Sequence, residues 1–256
     1  SMTSSMTKEE MEQEIKRLAP FHHQVALPHG LSTYDAESSL RRRETTRLDA
    51  LTRHAFPRLL ELCGGSFEGK RVIDVACNCG GFSIEAARLG ADHVLGFDVA
   101  DRYLDQANFI KRALDLDNVE FRKMAMEDCD EASIGHYDIA FCFGILYHLE
   151  NPVYAMKQLA SVTSDIMLVD ASVIKTPLSR RSMWKMNLPR VVESGDKSTT
   201  ALWRTEQRAQ FKPNARAITE LLKFLGFSKV EMIKPRQRGL ELRYYTRKRV
   251  TFLAQR

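Results

Sequence analysis

The stretch Lys70-Arg71-Val72-Ile73-Asp74-Val75-Ala76-Cys77-Asn78-Cys79-Gly80-Gly81-Phe82 does most to limit what this chain can fold into. Its apolar run, interrupted only by Asp74, is short and rich in β-branched residues, as a buried strand requires. Asn78, Gly80 and Gly81 follow at once, and these residue types tolerate positive φ or leave bare backbone for a ligand. Strand, tight turn and helix start are therefore packed into one short segment. A turn of this kind can hold a nucleoside, and the rest of the chain decides whether it does.

Downstream of the turn the pattern keeps alternating. Strand patterns at 71–76, 93–99, 119–124, 137–143, 166–173, 229–233 and 249–254 are interleaved with helical patterns at 81–89, 101–116, 128–134, 152–163 and 214–225. This predicts an α/β fold, a doubly wound, seven-stranded and mostly parallel sheet covered by helices on both faces. Pro152 is expected in the first turn of its helix with Asn151 as cap. Two helices precede the sheet. One spans 8–19, with Met11, Ile15 and Leu18 on one face before Pro20. The other spans 44–62, with Leu48, Leu51, Ala55, Leu59 and Leu62 on a stripe closed by Gly64-Gly65. The segment from Phe21 to Gly30 reads as a lid or pocket wall. Residues 175–212, carrying Arg180, Arg181, Trp184, Trp203 and Arg204, break the alternation as a long lid-like insertion. The expected organisation is an N-terminal helix and lid segment at 1–43 and one α/β domain at 44–256, with the insertion over the substrate.

At 256 residues and 44% hydrophobic the chain can bury the core of one large domain, and a net charge of +5 permits an anionic partner without demanding one. Its five cysteines are odd in number and follow no secretory signal, so a disulfide framework is not expected and a cytoplasmic location is. Cys77-x-Cys79 lacks a second pair at ligand spacing, and no metal site is expected. No apolar run approaches a membrane span. Ser1-Met2 is set aside from the fold argument.

In open parallel sheets ligands bind beyond the carboxyl ends of the strands. Here the first strand ends in the glycine turn. The second ends at Asp98, placed to take both ribose hydroxyls of a nucleoside. The third ends at Met126-Glu127, where an apolar face and a carboxylate can hold a purine. The fourth ends at Phe143-Gly144-Ile145-Leu146-Tyr147-His148, the natural place for a substrate. A dinucleotide would need Gly-x-Gly-x-x-Gly to bring its pyrophosphate onto backbone, and this turn offers Ala76, Asn78 and Gly80 instead.

Asp74-Val-Ala-Cys-Asn-Cys-Gly80 resembles the first motif of class I S-adenosylmethionine (SAM) methyltransferases, usually Asp/Glu-x-Gly-x-Gly-x-Gly, and the alternation after it is similar to that family's seven-stranded sheet. Within the family, Phe143 to Pro152, Phe211 to Phe227 and Lys248 to Arg256 resemble the tRNA wobble-uridine carboxymethyl transferases and their small-molecule relatives. The resemblance implies SAM as cofactor and S-adenosylhomocysteine (SAH) as product. It implies a cofactor site drawn from Asp74, Ala76, Cys77, Asn78, Gly80, Asp98, Val99, Met126, Glu127, Phe143 and Gly144. In the wobble-uridine enzymes an aromatic-Arg-Lys stretch near the N-terminus helps hold the extra carboxylate of carboxy-SAM. Phe21-His22-His23 is its match here, while Tyr147 and Arg249 are retained.

Methyl transfer needs the nucleophile held in line with the methyl, and a hydroxyl nucleophile also needs a base. His22, His23, Tyr147 and His148 are the candidate catalytic residues, each with a structural role as its competitor: a loop pair, core packing, or a junction hydrogen bond. The C-terminal run of Arg243, Tyr244, Tyr245, Arg247, Lys248 and Arg249 reads either as an RNA-binding face or as a solvated hairpin, the second being expected. The function read from the sequence is methyl transfer from SAM to an O or N atom of a small-molecule or peptide-derived natural product. The alternatives are tRNA wobble-uridine modification and SAM binding without catalysis.

Overall fold

The computed structural model describes residues 4–35, 47–176, 181–188, 209–235, 244 and 247–256. Seven strands form one sheet: β1 (Arg71–Val75), β2 (His93–Asp98), β3 (Val119–Lys123), β4 (Tyr137–Phe143), β5 (Thr163–Ser172), β8 (Lys229–Ile233) and β9 (Arg249–Gln255). Their spatial order is β3-β2-β1-β4-β5-β9-β8. The five strands from β3 to β5 are parallel, and β9 runs antiparallel between β5 and β8. The order reverses between β1 and β4, so the connections leaving these two strands diverge and open a crevice at their carboxyl ends.

The strands alternate their side chains between two cores. Val72, Ile139, Phe141 and Phe143 pack on one face with α1 (Lys8–Leu18), α2 (Arg47–His54), α3 (Phe56–Leu62), α4 (Gly81–Arg88) and α5 (Asp101–Ala113). Ile73, Val75, Ala140 and Cys142 pack on the other with α6 (Glu131–Ile134), α7 (Pro152–Ser161) and α8 (Ala215–Phe224). Both faces are covered, which is why the strands read as continuous apolar runs rather than alternating ones. Thr7 and Glu10 cap α1 reciprocally, and Met11, Ile15 and Leu18 join the first core. The Gln106 amide on α5 donates to the carbonyls of Leu18 (2.7 Å) and Pro20 (3.0 Å), tying the end of α1 to the sheet's helix layer. No helix among the described residues is long and apolar enough to cross a membrane.

Several expectations need correction. The helix expected over 44–62 is divided into α2 and α3 at Ala55, because Pro57 in the first turn of α3 has no N–H for the continuing ladder; residues 44–46 lie outside the described residues. Asn151 occupies the cap position of α7, but at φ −120° and ψ 63° its side chain makes no cap hydrogen bond. The expected helix end at Thr163 is instead the first residue of β5, with its hydroxyl donating to Leu159 O at 2.6 Å. Within 175–212, β6 (Trp184–Asn187) and β7 (Gln210–Pro213) form an antiparallel ribbon. Asn214 ties it down, donating to Arg181 O and Thr176 Oγ1 and accepting from the N–H of Met183 and Ala217. Arg180, Trp203 and Arg204 lie outside the described residues. The expected solvated C-terminal face is wrong for its central members, since Tyr244 and Arg249 are both only 4% exposed. Arg243 and Tyr245 lie outside the described residues.

Candidate functional site

The turn after β1 takes its shape from three left-handed residues, Ala76 (φ 51°), Asn78 (φ 54°) and Gly80 (φ 77°). These are the positions that glycines fill in the motif this turn resembles, and the reason is conformational. Gly80 adopts the geometry freely, and Asn78 tolerates it while its Oδ1 accepts from Cys79 N–H at 2.7 Å. Ala76 carries local strain of about 1–2 kcal/mol. A Cβ at Gly80 would stand 2.7 Å from the Phe121 ring, so α4 starts against β3 only because none is there. Burial pushes the Cys79 thiol up to about 11 and raises Cys77 well above its ordinary range, so this pair is protonated packing rather than a nucleophile.

Asp98 ends β2 and faces the turn. Its two oxygens accept backbone N–H groups, Oδ2 from Asn78 at 2.9 Å and Oδ1 from Ala100 at 3.0 Å, fixing the carboxylate with lone pairs to spare. Burial raises its pKa while these N–H groups lower it. Asp98 is part of the wall of a cavity of about 310 Å³, together with Ala76, Val99, Met126, Glu127 and His148 from the sequence reading. Phe97, Tyr103, Ile145 and Gln210 complete much of the wall. A rigid carboxylate, flanking aromatic and sulfur-bearing side chains and a second acid at Glu127 suit a purine nucleoside with vicinal hydroxyls.

The remaining expected cofactor residues sit behind this wall. Asp74 is buried under the turn and accepts from Ser83 Oγ at 2.6 Å; burial raises its pKa to about 7 despite that bond. Cys77 N–H donates to Phe97 O, lacing β1 to β2. Phe143 is packed in the core between Phe82 and Phe141, outside the cavity. Gly144 (φ 79°) lies beneath two guanidinium groups, those of Arg47 and Arg249.

The candidate catalytic residues separate. His22 is exposed, and its carbonyl accepts from Tyr34 OH. His23 is buried on the first turn of α4, where Gly81 N–H donates to its Nδ1 at 3.0 Å. Burial, with His22 and Arg47 nearby, holds His23 well below its ordinary range. It is therefore a neutral imidazole with its proton on Nε2, and that buried atom has no hydrogen-bond partner among the described residues. Tyr147 OH accepts from Arg249 Nη1 at 3.1 Å, and its ring lies 4.3 Å from that of His148. His148 lines the cavity, and burial together with Arg249, Arg47 and Lys212 lowers its pKa to about 4.

Behind Tyr147 a buried polar network joins β5 to β9. Asp170 accepts from Arg249, whose Nε lies 2.7 Å away, from Tyr244 OH at 2.8 Å and from Thr251 Oγ1 at 3.2 Å. His54 Nε2 reaches Thr251 Oγ1 at 3.2 Å. Asp170 and Arg47 escaped the sequence reading. An acid inside the apolar run of β5 was a usable signal, because a buried carboxylate needs a partner. Arg47 gave none, since an arginine at the start of a helix reads as surface.

A family model described as "Methyltransferase domain" matches residues 66–217. Among curated proteins the chain is 31% identical over 134 residues to a ubiquinone biosynthesis O-methyltransferase of Neisseria meningitidis serogroup A / serotype 4A, covering 52% of each protein. It is 33% identical over 110 residues to a tRNA U34 carboxymethyltransferase of Campylobacter hominis, covering 40% of this chain and 38% of that one. The chain thus spans about half or less of the length of these relatives. Among solved structures it shares the fold of the N-terminal domain of EvdMO1 with SAH bound, at a TM-score of 0.71 and 19% identity, covering 98% of this chain and 97% of that one.

Proposed function

Because this chain belongs to the class I SAM-dependent methyltransferases, we propose that it moves a methyl group from SAM to an O or N atom of a small-molecule or peptide-derived natural product. SAM, when bound, supplies a methyl group already activated by its sulfonium. Asp98 holds the ribose hydroxyls, Met126 and Glu127 flank the adenine, and the backbone from Ala76 to Gly80 cradles the amino-acid end. His23 Nε2–H supplies a donor there. The acceptor sits at the carboxyl end of β4, beside the β6–β7 ribbon, whose Gln210 lines the cavity.

The observation that carries this reading is His148, an uncharged imidazole in the wall of the same cavity as Asp98. A hydroxyl acceptor must lose a proton as the methyl arrives, and a neutral imidazole at that wall is able to take it. Tyr147 packs on His148 and holds its ring in place. Methyl-labelled SAM offered with fractionated metabolites and with tRNA tests the proposal. Label is expected in a small-molecule fraction, with His148→Gln lowering transfer at least a hundredfold and leaving SAH affinity within twofold.

A second reading is modification of a tRNA wobble uridine, supported by the Tyr147–Arg249 hydrogen bond at 3.1 Å. Against it, the position of the basic residue that holds the extra carboxylate in those enzymes is taken by His23, buried and neutral. Label found only in tRNA would favour this second reading over the first.

A further inference from the structure

The ribbon of β6 and β7 has two unlike sides. Its register pairs Asn187 with Gln210, Met186 with Phe211, Lys185 with Lys212 and Trp184 with Pro213. Paired residues of an antiparallel ribbon share a side and successive ones alternate, so the two amides and the two lysines lie on one side, and Trp184, Met186, Phe211 and Pro213 on the other. The polar side is turned to the cleft, since Gln210 lines the Asp98 cavity and the Lys212 charge reaches His148. The apolar side meets the first turn of α7.

Between them lies an open groove of about 490 Å³, walled by Trp184 and Phe211 from the ribbon and by Pro152, Val153 and Tyr154 from α7. Its apolar side chains are not packed away: Tyr154 is 52% exposed, and Met186, paired with Phe211, is 55% exposed. Branched side chains suffice to line a slot for an aliphatic chain, whereas aromatic faces brought from three places in the sequence suit a flat ring.

The groove is continuous with the cavity. Glu150 borders both, Leu149 and Gln210 wall the cavity, and their chain neighbour Phe211 walls the groove while its N–H donates to Leu149 O at 3.3 Å. The sill between the two spaces is thus one residue thick. A cavity of about 310 Å³ is at the small end for a ligand site, and the nucleoside of SAM takes it up. An acceptor that reacts at His148 has to extend outward, and beyond the sill the groove offers it apolar surface.

We propose that the methyl acceptor is an extended molecule bearing an aryl ring, which lies in this groove against Tyr154, Trp184 and Phe211 while its reacting atom stays at His148. The assignment rests on the methyltransferase reading above and names the class of its acceptor.

Calorimetry on SAH-saturated protein tests this with a ladder of phenols, each carrying a para alkyl chain of increasing length that ends in a phenyl ring. Affinity is expected to step up about tenfold, the scale of one aromatic pair, at the first length that crosses the sill. The matching cyclohexyl-ended phenol is expected to bind about threefold weaker at that length. Tyr154→Ala, at a half-exposed position that folding does not depend on, removes the step, as does Trp184→Ala, and Tyr154→Phe keeps it. Affinities for phenol itself and for SAH change less than twofold in all three variants. A ladder without a step overturns the proposal, as does a step that survives both alanine variants or a cyclohexyl series equal to the phenyl one. A dimer in sedimentation that Tyr154→Ala dissociates also overturns it, because a second copy of the chain would then fill the groove. Failure of SAH to bind would overturn the nucleoside reading of the Asp98 cavity and the proposal with it, whereas SAH binding without a step overturns the proposal alone.

Discussion

The two ends of the cleft are built on different plans. At the β1–β3 end the groups that line or back the cavity come from short contiguous pieces, 74–81, 97–100 and 124–127, and much of what they offer is backbone held in shape by Asn78, Gly80 and Asp98. At the β4–β9 end the site is a set of residues, Arg47, Gly144, Tyr147, Asp170, Tyr244 and Arg249, which lie far apart in the chain. A nucleoside is the same in every reaction of the family, so one local motif serves it. On the reading proposed above, an acceptor differs from enzyme to enzyme, so its site is assembled from whichever elements the fold brings to the end of β4.

If that contrast is right, damage at the two ends should be of different kinds. The largest effect is expected from Arg249→Met, which leaves the Asp170 side chain fully buried without its guanidinium partner. A loss of about 3–5 kcal/mol is expected, or roughly 10 °C in Tm for a chain of this size. The double variant Asp170→Leu with Arg249→Met should recover most of it in thermal unfolding. A drop of only a degree or two would mean that the network holds substrate without holding the fold.

At the other end, Asp98→Ala should cost little stability, because Asn78 and Ala100 lose only their shared acceptor at the edge of a cavity that water can enter. SAH affinity should instead fall about a hundredfold, the scale of two hydrogen bonds to a charged group. Calorimetric titration checks it, and an unchanged dissociation constant would remove Asp98 from the ribose. A large fall in Tm with affinity intact would reverse the contrast between the two ends.

The same contrast decided what could be read from the sequence. The strands β4 and β8 were legible to the residue and most of the others to within one or two, because each is an apolar run between turn residues. The glycine turn and Asp98 were legible because their spacing along the chain is their spacing in the fold. Arg47 and Asp170 were not, since nothing local says that the start of α2 lies over the end of β4. Tyr244 and Arg249 were misread as solvent-facing for the same reason: a basic, aromatic C-terminal run looks like surface until β9 is known to sit inside the sheet, between β5 and β8. His23 stood out as a polar side chain on a lid-like loop, and its bond to Gly81 N–H makes it a strap on the turn.

The smallest effect, and the finest test, is in pH. Asp74 lies at the first end, its pKa raised by burial to about 7; His148 lies at the second, its pKa lowered to about 4 by burial and then by Arg249, Arg47 and Lys212. Between these values and their ordinary ones the two groups pull stability in opposite directions. Folded Asp74 holds a proton that the unfolded chain has released, so its contribution falls as pH rises from about 4 to 7. Folded His148 lacks a proton that the unfolded chain carries, so its contribution rises with pH between about 4 and 6.5. In the native protein the two slopes largely cancel. Asp74→Asn, which keeps an acceptor for Ser83, should leave a stability profile that climbs more steeply with pH than wild type, and His148→Gln one that climbs less or falls. Each departure is about 1 kcal/mol between pH 5 and 6, from the titration of one proton. Urea unfolding at closely spaced pH values resolves it. Parallel profiles for both variants would show that neither end holds the shifted titrating group assigned to it, whereas opposite departures would tie one titrating group to each half of the cleft.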